Sequence, residues 1–277
     1  MANKVWIGGD AAGANSVNVA ANWSPSGVPT GSDNVYFTHQ STSSCLHDLA
    51  TLAAITGELH IKQGYLQSIG SSTGPNYFEM KPSVVYANVV RPAFIDVKAS
   101  TGVIHIENTG GGSYASAGLN LLGTAIGRIN MLDGTVAVAL NPGEVSTIAE
   151  IELTSSGKLM LGSGVTWTDV SQYGGTLTAT AGTTNSVVDL YGGTFSADQA
   201  CKVKDLNVFD GTVFWSGTGN VKNLTMRGGI VNTLYSGQNR TFTNARLYEG
   251  EIAYDPNVLT ITNWLQPDTP VNLTVRR

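Results

Sequence analysis

Residues 186–195 read Ser-Val-Val-Asp-Leu-Tyr-Gly-Gly-Thr-Phe, residues 204–213 read Lys-Asp-Leu-Asn-Val-Phe-Asp-Gly-Thr-Val, and residues 222–231 read Lys-Asn-Leu-Thr-Met-Arg-Gly-Gly-Ile-Val. The three segments repeat one order of residues: two apolar positions two apart, a short turn ending in glycine, then another apolar residue. The same turn recurs at Gly134, Gly157, Gly175 and Gly250. Along the seven glycines from Gly134 to Gly250 the spacings are 23, 18, 18, 18, 18 and 21 residues. A fixed period of this kind is the signature of a repeat architecture.

The apolar positions keep register with the glycine. Two residues after it stand Val136, Leu159, Leu177, Phe195, Val213, Val231 and Ile252. Five before it stand Ile129, Val170, Val188, Leu206, Leu224 and Ala245; three before it, Met131, Leu190, Val208, Met226 and Leu247. Eight before it stand Ile126, Trp167, Val203, Val221 and Phe242. The coil ending at Gly157 fits if Ile151 and Leu153 are shifted by one residue, as a bulge would shift them. Apolar residues two apart mark strands, and 18 residues leave no room for a helix beside them. Stacked coils lie ~4.8 Å apart, so like positions form buried columns. The expected fold is all-β: a single-stranded right-handed parallel β-helix with coils of about 18 residues and a cap at each end. A left-handed β-helix needs a six-residue apolar period, which these spacings do not show. A leucine-rich repeat shares the pattern Val203-x-x-Leu206-x-Val208 but usually has longer repeats and Asn in place of the glycine.

Composition agrees. Glycine supplies 33 residues of 277, charged residues only 13%, and apolar residues 42%. The usual charged share is roughly 25%. Such a chain favours short strands and tight turns, and it is too apolar for disorder. The net charge of −5 and the lack of basic runs argue against nucleic acid as a partner. No run of about 18 apolar residues points to a membrane span. Cys45 and Cys201 are expected to be separate buried thiols.

Three parts are expected: an N-terminal cap or attachment segment over 1–50, the parallel β-helix over 51–254, and an extended tail over 255–277. Upstream of Gly134 the strands around Leu59–Ile61, Leu66–Ile69 and Ile104–Ile106 are irregularly spaced. Protruding loops are expected at 71–82 and 110–112. In the tail, Val258, Leu259, Ile261 and Trp264 precede the alternation Val271-x-Leu273-x-Val275, interrupted by Pro256, Pro267 and Pro270. It leaves the repeat, and it either caps the last coil or reaches a neighbouring subunit.

The first forty residues contain Trp6-Ile-Gly8-Gly9, then Asn22-Trp23, then Pro29-x-x-x-Asp33-x-Val35. This pattern resembles the opening segment of β-helical bacterial surface proteins and phage virion proteins. Autotransporter passengers of that kind carry a secretion signal and a C-terminal barrel, and neither is read here, which turns the resemblance toward phage. What it implies is entry into a β-helix; read by themselves, Trp6 and Trp23 plug the open end of the core, which is compatible with it. Six residues at the ends are candidates for capping or contact: Trp6, Trp23, Pro29, Asp33, Trp264 and Leu273.

Many β-helices degrade polysaccharides, which takes two carboxylates across one sugar-binding groove. Asp133, Asp210 and Glu249 share the position before the turn glycine, but Asp133 and Asp210 are four coils apart, roughly 19 Å at the strand spacing. That is too far for a glycosidase pair, and they read as turn formers. Asp189 and Asp205 sit at different offsets, with no shared face expected. His39, Cys45, His47 and Asp48 match no zinc spacing and read as a solvated loop. His60 and His105 occupy one outward place in similar strands, read as an exposed strand face. No nucleotide fingerprint is present, and no catalytic residue, cofactor or metal is expected. The leading expectation is a non-enzymatic virion structural protein. More narrowly, the expectation is a capsid decoration (cement) protein of a tailed bacteriophage, assembled in the host cytoplasm, homotrimeric and bound to capsid proteins. A polysaccharide-binding or -cleaving tailspike and a bacterial adhesin are the alternatives.

Overall fold

From Gly134 to Gly250 each coil carries strand on both sides of the glycine turn. The computed structural model describes residues 1–10, 15–72, 76–110, 118–183, 185–234, 237–265 and 272–276, the last five by backbone alone. It is all-β, 52% strand and 3% helical, and its parallel coils form a β-solenoid of about nine turns with about 19 residues each. The extra residue over the expected eighteen comes from longer coils on both sides of the regular stretch between Gly157 and Gly229.

The strands before and after the turn form two parallel ladders. In the first, Val187–Leu190, Val203–Val208 and the start of Val221–Asn232 pair so that Val188, Leu206 and Leu224 lie in line. In the second, Thr176–Ala179, Thr194–Ala197 and Thr212–Trp215 align Leu177, Phe195 and Val213. These inward residues are fully buried, as are Val136, Leu159 and Val231. One continuous core follows from Trp6 to Leu259. A buried polar residue breaks the column of Met131, Leu153 and Leu190. Gln172 donates its side-chain amide to the carbonyls of Gly174, Gly175 and Thr194, at 3.1, 3.2 and 2.9 Å, tying two successive turns together.

The turn glycines are forced by their neighbours. Gly134, Gly175, Gly193, Gly211, Gly229 and Gly250 all have positive φ, between 64° and 111°. Successive turns also lie against each other. A Cβ on Gly193 would stand 2.5 Å from the carbonyl carbon of Gly174 and 2.5 Å from the oxygen of Gly175. The amide after each glycine donates to the glycine carbonyl one coil earlier: Thr194 to Gly175 at 2.8 Å, Thr212 to Gly193 at 2.9 Å, Ile230 to Gly211 at 2.9 Å.

Three expectations need correction. No bulge shifts Ile151 and Leu153: they pair in line with Ile129 and Met131. The additional residue instead lengthens the turn, Thr154-Ser155-Ser156-Gly157, and Gly157 alone of the seven lacks a positive φ. Within 71–82 the strand Phe78–Glu79 pairs with Ala93–Asp96 and buries Phe78, so that stretch is not only loop. Its residues 73–75, and 111–112 of the other expected loop, lie outside the described residues. Finally, the tail does not leave the repeat. Leu259–Leu265 pairs with the first half of Arg240–Ala253, and Asn272–Arg276 with its second half, so both ladders continue for one more coil. Its i, i+2 alternation was enough to form strands without the glycine marker.

Gly193→Ala should cost roughly 2–5 kcal/mol, from left-handed strain of ~1–2 and overpacking of ~1–3. Gly143 also has positive φ, 86°, but a Cβ there meets nothing within 4 Å. Gly143→Ala should therefore cost only the strain, ~1–2 kcal/mol. Urea unfolding of the two variants measures the difference.

Candidate functional site

The two ends of the solenoid differ in how they finish the core. At the N-terminal end, strand Asn3–Trp6 pairs in parallel with Asn34–Phe37, which pairs with Leu59–Ile61. The first ladder thus begins within the opening fifty residues. Trp23 pairs back antiparallel with Trp6. Their rings meet edge to face at 5.2 Å, and Phe37 joins both at 6.4 and 6.5 Å. Each indole N–H finds a backbone carbonyl, Trp6 that of Ser43 at 3.0 Å and Trp23 that of Val17 at 2.9 Å. Both tryptophans are buried and so is Pro29, so none of them presents a side chain to a partner. Asp33 is a clasp: its carboxylate accepts the amides of Ala2 at 2.7 Å and Thr30 at 3.1 Å. The Ala2 bond holds its pKa below the ordinary value.

The C-terminal coil is finished differently. Trp264 pairs with Ala245 in the inward column, where every earlier residue from Ile129 onward is buried, yet Trp264 is 48% exposed. Leu265 beside it is also exposed. The ring of Tyr254 approaches Trp264 at 6.2 Å. Leu273 pairs with Gly250 through the backbone; its side chain lies outside the described residues. Of the six candidate residues, the fold therefore gathers four in the N-terminal cap and sets Trp264 and the Leu273 backbone in the last coil.

Along the sides, the outward positions also form columns. Tyr36, His60, Tyr86 and His105 stack with centroid separations of 4.4, 4.9 and 5.3 Å and planes within 18°. The two histidines are not on a bare strand face; tyrosines sandwich His60, and Glu58 meets its Nε2 at 2.7 Å. Asp189 and Asp205 share the outer face of the first ladder after all, since their offsets differ by two. Each is occupied, by Asn207 at 2.8 Å and Asn223 at 2.7 Å. Asp133 and Asp210 accept the amide of the following glycine, both at 2.7 Å, the role of turn formers. Cys45 and Cys201 are free and buried, and burial raises both thiols, Cys201 to about 12. Among the described residues no three His, Cys, Asp or Glu are grouped to hold a metal. Sequence reading missed the stacked rings because it followed only inward positions; Tyr173, Tyr191 and Phe209, each two before a turn glycine, were the available signal.

No family model, curated protein or solved structure matches the chain.

Truncating Trp6 or Trp23 to Ala should cost ~3–5 kcal/mol by opening the capped core, read as a lower thermal midpoint. Asp33 gives a pH signature. Its folded pKa lies below the ordinary 3.8, so its contribution is present above about pH 4 and is lost as pH falls through the folded value. Asp33→Asn should remove that part of the acid sensitivity, checked by unfolding midpoints from neutral pH down to about pH 2.

Proposed function

We propose that the chain is a non-enzymatic structural protein of a virion: a homotrimeric capsid decoration protein of a tailed bacteriophage, docked on capsid proteins through its C-terminal coil. The observation that carries this reading is the contrast between the ends. One end buries two tryptophans and clasps its first residues, while the other exposes Trp264, in a column buried at every earlier coil, with the exposed Leu265 beside it. Large exposed apolar groups beside an open strand edge suit a protein contact. The long shared core makes the solenoid a stiff spacer, the mechanical property a decoration protein uses. The opening segment, with its resemblance to phage virion β-helices, supports the same reading.

Particles of the encoding phage should carry the chain, detected by mass spectrometry and by antibody labelling in electron microscopy. The Trp264→Ala, Leu265→Ala double variant should keep its fold, changing stability by no more than about 1 kcal/mol, and should fail to bind particles. Particles lacking the chain, or a variant that binds them as the parent does, would contradict the proposal.

A further inference from the structure

The last four coils share a short motif in the strand before the turn. Val203-Lys-Asp205-Leu206, Val221-Lys-Asn223-Leu224, Phe242-Thr-Asn244-Ala245 and Ile261-Thr-Asn263-Trp264 have one order: apolar, Lys or Thr, Asp or Asn, apolar. The ladder sets them in register, rung on rung. Their apolar positions lie in the inward columns. Their amides point outward, and each Asn donates its side-chain N–H to the oxygen one coil earlier. Asn223 reaches Asp205 at 2.7 Å, Asn244 reaches Asn223 at 2.8 Å, and Asn263 reaches Asn244 at 2.9 Å.

Leu259–Leu265 carries the fourth rung and pairs on one side with Arg240–Ala253; Asn272–Arg276 joins the other half of that same strand and does not cover it. Among the described residues no strand pairs with its far side. A strand edge in this state offers alternate amides and carbonyls to another chain. Asn263 is exposed, and among the described residues no donor reaches its Oδ1. Beside it, Trp264 lacks the cover that earlier members of its column receive from the next coil. What the edge lacks is therefore one defined rung: an apolar residue over Ile261, a side-chain amide over Asn263 and an apolar residue over Trp264.

We propose that an extended segment of a capsid protein supplies this rung, adding to Leu259–Leu265 as a parallel strand with the pattern apolar-x-Asn-apolar. The proposal rests on docking through the C-terminal coil and specifies what the partner presents there. In strand addition the main-chain bonds give affinity and the alternating side chains give specificity. A second copy does not match the edge. Its own first strand, Asn3–Trp6, is already flanked by Asn34–Phe37 and by Trp23–Ser24. Two last coils joined edge to edge with their cores aligned run antiparallel. With Asn263 opposite itself, Trp264 would then face Thr262 instead of an apolar residue.

The chain's own repeat supplies the probe. A peptide of residues 219–227, Gly-Asn-Val-Lys-Asn-Leu-Thr-Met-Arg, carries the pattern in the required phase. Titrated into the full chain, it should bind by calorimetry and shift the tryptophan emission to the blue, since Trp264 is exposed and Trp6, Trp23, Trp167 and Trp215 are buried. Trp264→Phe, shown folded by circular dichroism, should keep the binding and lose the shift. The peptide carrying Asn223→Leu should bind roughly two- to tenfold more weakly, and a scrambled peptide of the same composition should not bind. The proposal is overturned if the 219–227 peptide does not bind at millimolar concentration, or if the scrambled or Asn223→Leu peptide binds equally well. Trp264-dependent self-association in sedimentation would put a second copy on the edge and overturn it too. Particles that bind through Trp264 and Leu265 while the peptide fails would overturn strand addition alone. A peptide that binds a chain found on no particle would keep the strand-accepting edge and overturn the capsid as its partner.

Discussion

The structure depends on one repeated backbone contact. The amide following a turn glycine donates to the carbonyl of the turn glycine one coil earlier, at 2.8–2.9 Å in the regular coils. For that bond to form, successive turns must approach until only hydrogen fits between them. This is why glycine is needed twice over, for its positive φ and for the absent Cβ. Once the turns are in contact, the strands on either side are held at ladder spacing. Apolar residues five and three before and two after then fall into columns without further instruction. Gln172 reinforces this seam from inside the core, where a Leu or Met would only fill space.

That dependence explains what could be read from the residues and what could not. The columns through Val188, Leu206 and Leu224 were legible because glycine fixes their phase. Near Gly157 the phase misled: the turn is a residue longer, so counting back from the glycine placed the irregularity in the strand. The tail has no glycine marker, and the continuation of the ladders through Leu259–Leu265 was therefore invisible despite its alternation. Outward order was harder still. Tyr36, His60, Tyr86 and His105 are separated by irregular intervals in the chain, and only the ladder register brings them face to face. The capping role of Trp6 and Trp23 was legible in outline. The Asp33 clasp on Ala2 was not, since it spans 31 residues.

The same geometry separates structural from functional surface. Inward positions and turn glycines are committed to the stack, and several outward polar residues bond to a residue on the neighbouring coil. Asn223, Asn244 and Asn263 form such a chain, each amide donating to the oxygen before it. Function is left to places where the repeat is interrupted. One stands out: the last coil, where the inward column surfaces at Trp264.

The central claim is that stacked glycine turns set the parallel register. Scalar couplings across hydrogen bonds, measured by NMR on deuterated protein, report it directly. The account predicts couplings from the amides of Thr194, Thr212 and Ile230 to the carbonyl carbons of Gly175, Gly193 and Gly211. Couplings from those amides to other carbonyls, or amides that exchange freely with solvent, would contradict it.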